Sequence, residues 1–214
     1  MILSAHTIIF DFDGTLVDST QIITKILSEV RDEFNLAHIP LAEIQNFKKR
    51  SLKEQIKMSG ISPLQLPKLV KRIQQEFAKH IDSLDWHPGI EGLLERLDNY
   101  GLQLGILTSN KKENVEQFLM MQDVASFDFI YSAKRIFRKD GSLKQILSKY
   151  NLNTTEVVYV GDELSDIEAC QKVGIPIIAV TWGYDDAEVL KKGKPTDLVS
   201  SADELSAALL SLVV

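Results

Sequence analysis

The chain of 214 residues has a single cysteine, Cys170. One thiol cannot build an intramolecular disulfide framework, and its scarcity suits a reducing compartment. No apolar run reaches the roughly 18 residues that a spanning helix needs, so no membrane association is expected. The N-terminus lacks a basic stretch followed by a long apolar one, so no secretory signal is read there and a cytoplasmic location is expected. A basic excess is also missing. The 24 Lys and Arg stand against 30 Asp and Glu, a formal net charge of -6, which argues against a nucleic-acid footprint. There is no internal repeat, low-complexity segment or disorder signature. The four histidines, His6, His38, His80 and His87, are scattered without metal-ligand spacing and read as structural or surface groups.

What remains is an ordinary globular composition, 44% hydrophobic and 25% charged, with enough apolar side chain for a real core. Thr7-Ile8-Ile9-Phe10 is a short apolar run with β-branched residues and reads as a buried parallel strand. The same grammar recurs at Leu102 to Leu107, Phe127 to Tyr131, Val157 to Val160 and Ile175 to Val180. Helical periods lie between these runs, at Ile90 to Tyr100, Asn114 to Met121, Ser142 to Tyr150 and Leu164 to Val173, with one more at Ala202 to Leu212. Strand alternating with helix predicts an α/β domain around a parallel sheet.

The stretch from 19 to 86 breaks the alternation. Ile22, Ile26, Val30 and Phe34 repeat at i+4, Leu52 and Ile56 fit a second helix, and Leu66, Leu69, Val70, Ile73, Phe77 and Ile81 fit a third. An all-α domain inserted after the first strand is therefore expected, dividing the chain into a core (1–18 and 87–214) and a helical module (19–86). The module carries a net charge of +3 and the core -9. That polarity suits an anionic substrate bound to the acidic core through a metal, though so small an excess also arises by chance.

Two acidic pairs follow apolar strands. Asp11 and Asp13 come directly after the first, with Gly14 free to make a sharp turn. Asp162 and Asp166, with Glu163 between them, come after Val157 to Gly161. Ligands of open α/β sheets bind beyond the carboxyl ends of strands. If these two strands are neighbours, four or five carboxyl groups converge at one edge. They would repel unless a cation joins them, and a hard divalent ion such as Mg2+ accepts oxygen ligands of this kind. Thr108-Ser109-Asn110 follows another strand and offers hydroxyls, an amide and a helix start for a phosphate, or simply an N-cap. Trp86, Trp182 and Cys170 read as packing residues.

The chain resembles the haloacid dehalogenase superfamily of phosphohydrolases. Its first motif is carried by Ile8-Ile9-Phe10-Asp11-Phe12-Asp13-Gly14-Thr15, its second by Thr108, and its fourth by Gly161-Asp162-Glu163-Leu164-Ser165-Asp166. The third, a lysine usually followed by proline, is best matched by Lys139 in Arg138-Lys139-Asp140-Gly141. Lys134, Arg135 and Lys144 are nearby alternatives, and the proline is missing. The helical insert, His87-Pro88-Gly89 and Val180-Thr181-Trp182-Gly183-Tyr184 resemble the phosphoglycolate phosphatase-like branch, in which the insert is a cap.

The resemblance implies a Rossmann-like core and a Mg2+-dependent phosphatase acting on a small phosphorylated metabolite, phosphoglycolate among the candidates. Asp11 would be the nucleophile and Asp13 the general acid and base. Asp11, Asp13 and Asp162 would hold the metal, with Asp166 on the metal's water or on the lysine. Gly14, Thr15, Thr108, Ser109, Asn110 and Lys139 would surround the phosphoryl group. The cap would hinge near Thr15 to Asp18 and Asp85 to Pro88. Lys49, Arg50 and Ser51 are the candidates for substrate choice, unless they form a solvated charge run. A phosphomutase using the same residues, a receiver-like phospho-acceptor and a non-catalytic binding protein are the competing readings; a dehalogenase would need neither Asp13 nor the second acidic pair. A monomer or homodimer is expected.

Overall fold

A computed structural model describes residues 5–39, 49–124, 127–133 and 139–212. Among them, six short apolar segments form one parallel sheet: β1 (Thr7–Phe10), β2 (Gln103–Thr108), β3 (Phe129–Ser132), β4 (Val157–Gly161), β5 (Ile177–Val180) and β6 (Asp197–Val199). The order is β3-β2-β1-β4-β5-β6. The chain moves outward one way from β1, then returns to its other side, so the order reverses between β1 and β4. A crevice opens at such a reversal beyond the strands' carboxyl ends. Phe10 pairs with both Ile106 and Val160. The residues that follow each of these positions therefore emerge side by side.

Both sheet faces are covered, which is why β1, β4 and β5 are buried along their whole length rather than at alternate residues. Side chains of successive β1 residues point to opposite faces. Ile8 and Phe10 join one core with Leu93, Val115, Phe118 and Leu205. Ile9 joins the other with Leu107, Leu143, Tyr159, Ile167 and Cys170. The helices packed there are α4 (Ile90–Asp98), α5 (Lys112–Met121), α6 (Lys139–Tyr150), α7 (Leu164–Val173) and α9 (Ala202–Leu212). Cys170 is a buried free thiol, in keeping with a core role.

Between β1 and α4 the described residues are helical: α1 (Thr20–Phe34), α2 (Leu52–Met58), α3 (Leu66–Phe77) and a short 3-10 turn at Ile81–Ser83. The stripe Ile22, Ile26, Val30 and Phe34 is buried against Leu69 and Phe77 of α3. Each such side chain contributes about 1.5–3 kcal/mol when removed from water. α1 ends where Asn35 turns left-handed at φ 52°, a conformation that Asn tolerates better than most residues. Ile81 is buried as its spacing predicts, but not on α3. The helix closes at Phe77 with i→i−3 bonds from Lys79 to Glu76 and from His80 to Phe77, both 2.9 Å, and Ile81 follows in the separate turn.

The two strands of chain joining insert and core run side by side. Val17 bridges Trp86 in antiparallel fashion, Asp18 N–H donates to Asp85 O at 3.2 Å, and His87 N–H donates to Leu16 O at 2.8 Å. Trp86 packs edge-on against Phe118, at 4.8 Å between ring centres. Two elements escaped the sequence reading: α8 (Ala187–Gly193) and β6. β6 is three residues long with only Val199 buried, too short to show a period.

At Gly105 in β2, an added Cβ would lie 2.1 Å from the Phe129 ring, which itself stacks on Tyr150 at 4.5 Å. Gly105→Ala should lower unfolding stability by about 1–3 kcal/mol through overpacking, read as a shift of the urea midpoint. Phe129→Leu in the same chain should recover part of the loss. An unshifted midpoint for Gly105→Ala contradicts this packing.

Candidate active site

The first acidic pair sits where β1 ends. Asp11 N–H continues the ladder by donating to Val160 O at 2.8 Å, so Asp11 is fixed as though still in the sheet. The chain then turns tightly, with Leu16 N–H donating to Phe12 O and Gly14 N–H to Val17 O. Gly14 takes φ +80°, and a Cβ there would lie 2.3 Å from Asp162 Oδ2. From the other side Gly183 comes as close, its missing Cβ falling 2.1 Å from the same oxygen. The main chain thus closes on Asp162 from two loops, which explains both glycines physically.

Asp162 is fully buried and doubly held. Its Oδ1 accepts from Thr15 Oγ1 at 2.6 Å, and its Oδ2 accepts from Tyr184 N–H at 2.8 Å. Asp166, one turn into α7, accepts from Glu163 N–H through Oδ2. Its Oδ1 accepts from Lys139 Nζ at 2.7 Å, and the same ammonium donates to Asp11 Oδ2 at 2.6 Å and Tyr159 OH at 3.2 Å. Asp11 Oδ1 accepts from Phe12 N–H at 2.7 Å. Lys139 begins α6 and is 4% exposed, whereas Lys144 on the same helix is exposed. Lys134 and Arg135 lie outside the described residues.

Carboxylate oxygens of Asp11, Asp162 and Asp166 lie within 4.8 Å of one another. A single lysine does not neutralise three buried carboxylates, and the electrostatics register the imbalance. Burial chiefly, against the opposing pull of Lys139, pushes the Asp11 carboxyl up to about 7. Burial, then the Asp11 and Asp166 charges, pushes Asp162 well above the carboxylate range. Burial draws Lys139 down, but Asp11 and Asp166 outweigh it and hold the ammonium charged. Asp13 is also raised by burial. Its Oδ2 accepts from Asn110 Nδ2 at 3.1 Å; its Oδ1 is buried without a well-formed hydrogen bond, although the Ser19 hydroxyl is near enough to oppose part of the burial shift. An excess of crowded, buried carboxylates over positive charge is what a cation-binding site looks like before the cation is counted.

Thr108 and Asn110 close the site from β2. Thr108 is buried, and its Oγ1 accepts from Asn110 N–H at 2.9 Å. Ser109 contributes differently from its neighbours: its carbonyl accepts from Gln74 Nε2 of α3 at 2.6 Å. Lys49 and Arg50 are exposed. Ser51 caps α2, its Oγ and N–H both donating to Glu54 Oε2. Ser51, Leu52 and Lys53 face Leu164, Ser165 and Glu168 across a cavity of about 180 Å3. This segment therefore sits beside the helix that follows Asp162 rather than against the carboxylates.

Tyr184, read from sequence only within the Val180–Tyr184 resemblance, and Trp182, read there and as a packing residue, take defined places at the site, and Asp185 was not singled out at all. Tyr184 supplies the N–H to Asp162, and its hydroxyl lies 2.6 Å from Ser19 Oγ. Trp182 Nε1 donates to Thr15 O at 3.1 Å, and its ring lies 5.4 Å from that of His87. The segments around His87 and Trp182 thus meet beneath the Asp11–Thr15 turn. Asp185 is buried and accepts from Leu164 N–H at 2.7 Å. These contacts bridge distant parts of the chain, so no local spacing announces them.

The raised Asp11 carboxyl has a consequence for stability. Between its ordinary value near 3.8 and about 7, the folded state binds more protons than the unfolded chain, so this group makes stability fall as pH rises through that window. Asp13, Asp162 and Glu163 act in the same direction. In EDTA, the unfolding midpoint should therefore decline from about pH 5 to pH 7, and less steeply in Asp11→Asn. A midpoint that rises with pH across this window, or an identical slope in the variant, contradicts the assignment.

Residues 8–180 match the family model described as haloacid dehalogenase-like hydrolase. The chain is 34% identical to a phosphoglycolate phosphatase of Synechococcus elongatus, over 97% of this chain and 99% of that one. It is 23% identical to the pyrophosphatase PpaX of Oceanobacillus iheyensis, over 95% and 96% of the two chains. A crystal structure of a predicted phosphatase from Clostridium acetobutylicum superposes with a TM-score of 0.83 at 26% identity, covering 96% of this chain and 98% of that one. Family model, relatives and the carboxylate–lysine cluster agree: the chain belongs to the haloacid dehalogenase-like hydrolase family, as a phosphatase of its phosphoglycolate phosphatase-like branch.

Proposed function

We propose that this phosphatase hydrolyses small phosphate monoesters, phosphoglycolate among them, through an aspartyl-phosphate on Asp11, with Mg2+ as cofactor. The observation that carries this reading is the ammonium of Lys139 at 2.6 Å from Asp11 and 2.7 Å from Asp166. A carboxylate approaches a phosphate dianion only if its own charge is screened. Lys139 screens one oxygen of Asp11. Asp11 and Asp162 would hold the metal by side chains and Asp13 by its carbonyl, while Asp166 orients the lysine. Bound Mg2+ supplies the remaining positive charge on the phosphoryl oxygens.

In the first step an oxygen of Asp11 bonds to phosphorus as the bond to the ester oxygen breaks. Asp13 gives its proton to that departing oxygen. In the second step Asp13 takes a proton from water as the water oxygen attacks phosphorus, and the bond to Asp11 breaks, releasing phosphate. Burial raises Asp13, in the direction a proton donor needs. Lys139, Thr108 and the backbone and amides of Gly14, Thr15, Ser109 and Asn110 would face the equatorial oxygens.

Residues 19–86 form the cap in this reading, seated on a core of 1–18 and 87–214, and closure would exclude water from the first step. Lys49, Arg50 and Ser51 belong to the cap segment beside Leu164 and Ser165, where they would bear on the substrate's outer end. Phosphoglycolate is favoured by the 34% identity to the Synechococcus elongatus phosphatase.

The test is phosphate release from phosphoglycolate by wild type and Asp11→Asn, each with Mg2+ or EDTA. Pyrophosphate and glucose 1-phosphate serve as rival substrates. Wild type should turn over phosphoglycolate only with Mg2+, and Asp11→Asn should lose at least about 10³-fold. Undiminished activity in EDTA or in Asp11→Asn sinks the mechanism. Faster turnover of pyrophosphate, or conversion of glucose 1-phosphate to its isomer without phosphate release, sinks the substrate assignment.

A further inference from the structure

We infer that Asn114, seated by the main chain of Gln74 in the helical insert, is a positioning residue that sets the orientation of the Asp13 carboxylate through Asn110. The inference rests on the reading of Asp13 as general acid and base.

The contacts form one directed chain. Asn114 lies in the first turn of α5 and is 4% exposed. Its Nδ2 carries two hydrogens, and both are used: one is donated to Gln74 O at 3.1 Å, the other to Asn110 Oδ1 at 2.8 Å. Asn110 Oδ1 also accepts from Lys111 N–H at 2.8 Å. With its carbonyl oxygen facing two donors, the Asn110 amide has only one sensible orientation. Reversed, it would set its NH2 against the two donors and its oxygen against the Asp13 carboxylate. Held as it is, Asn110 Nδ2 donates to Asp13 Oδ2 at 3.1 Å. Asp13 Oδ1 forms no hydrogen bond of ordinary geometry, the Ser19 hydroxyl being the other polar group close to the carboxylate. Asp13 is thereby divided into one oxygen that is anchored and one that is available for a proton in transit.

The anchor reaches back into the insert. Gln74 makes a second contact with the same loop, Nε2 to Ser109 O at 2.6 Å. α3 therefore holds the β2–α5 segment at two points, by side chain to Ser109 in the loop and by main chain to Asn114 in the first turn of α5. When α3 is displaced, Asn114 loses the acceptor that seats its amide, and of the two donors to Asn110 Oδ1 only the Lys111 N–H stays fixed. The carboxylate of Asp13 is then held less tightly, and a misplaced general acid is a poor one: small errors of geometry at a reacting centre cost on the order of 10²-fold.

The experiment exploits leaving-group chemistry. The phenolate of p-nitrophenyl phosphate departs readily without a proton, whereas the alkoxide of phosphoglycolate needs one. We would measure kcat/KM on both substrates, with Mg2+, for wild type, Asn114→Asp, Gln74→Glu and, as reference, Asp13→Asn. Asn114→Asp keeps the shape and removes both donated hydrogens. It should lower kcat/KM for phosphoglycolate by about 10²-fold, with a far smaller loss on p-nitrophenyl phosphate, in the pattern of Asp13→Asn. Gln74→Glu should show the same selectivity with a smaller loss, and it decides the matter if circular dichroism finds Asn114→Asp unfolded.

Equal losses on both substrates, or none on either, while Asp13→Asn remains selective, would overturn the positioning role and leave the role of Asp13 standing. Should Asp13→Asn itself fail to distinguish the two leaving groups, the general-acid reading falls, and this inference with it.

Discussion

One buried ammonium group governs the site. Lys139 lies within 2.7 Å of both Asp11 and Asp166, and all three are buried. Removing one partner of such a buried cluster costs about 3–5 kcal/mol, because a charge is left without compensation. The lysine is therefore as much a condition for burying Asp11 as a participant in its chemistry. It is still not enough: with Asp162 beside them, the carboxylates outnumber it. Burial and mutual repulsion lift Asp11 and Asp162 out of the ordinary carboxylate range. The site is built to be short of positive charge, and a metal with the substrate's phosphate would redistribute that shortage.

The sheet makes the crowding possible. Because β1 lies between β2 and β4, the segments after all three strands open onto one edge. The first brings Asp11 and Asp13, the second Thr108 and Asn110, the third Asp162. Gly14 and Gly183 then let two loops approach Asp162 more closely than any side chain would permit. The first of the two crossings between core and insert follows directly from that same Asp11–Thr15 turn, and at Val17 it is joined to the second, at Trp86. The backbone that leads on from Asp13 is thus hydrogen-bonded, at Leu16, to the returning chain at His87.

Much of this was legible in the sequence because it is local. Strands of four or five buried residues have no polar interruptions, and the acidic pairs follow them within a few positions. Their convergence needed only the assumption that β1 and β4 are neighbours, which the pairing of Phe10 with Val160 bears out. Lys139 was ambiguous among several cations because a surface lysine and a buried one look alike in sequence; burial separates Lys139 from Lys144. Asn114, Gln74 and Asp185 gave no signal, since their roles are hydrogen bonds to residues distant in the sequence; Tyr184 was noted only within the Val180–Tyr184 resemblance, without its contact to Asp162. β6 was missed because an edge strand needs only three residues and little apolar surface. Ser51 was read for its position before a helix, and its spacing to Glu54 turns out to be that of a capping box.

The central claim is that the phosphoryl group rests on Asp11 during turnover, and borohydride trapping tests it most directly. Enzyme turning over phosphoglycolate with Mg2+ would be quenched, reduced with sodium borohydride and digested for mass spectrometry. A phosphorylated carboxylate is reduced to an alcohol, whereas a free one is untouched. The account predicts substrate-dependent conversion of Asp11 to homoserine, with Asp13, Asp162 and Asp166 unchanged. Reduction at another carboxylate, or active turnover with Asp11 never converted, would contradict it.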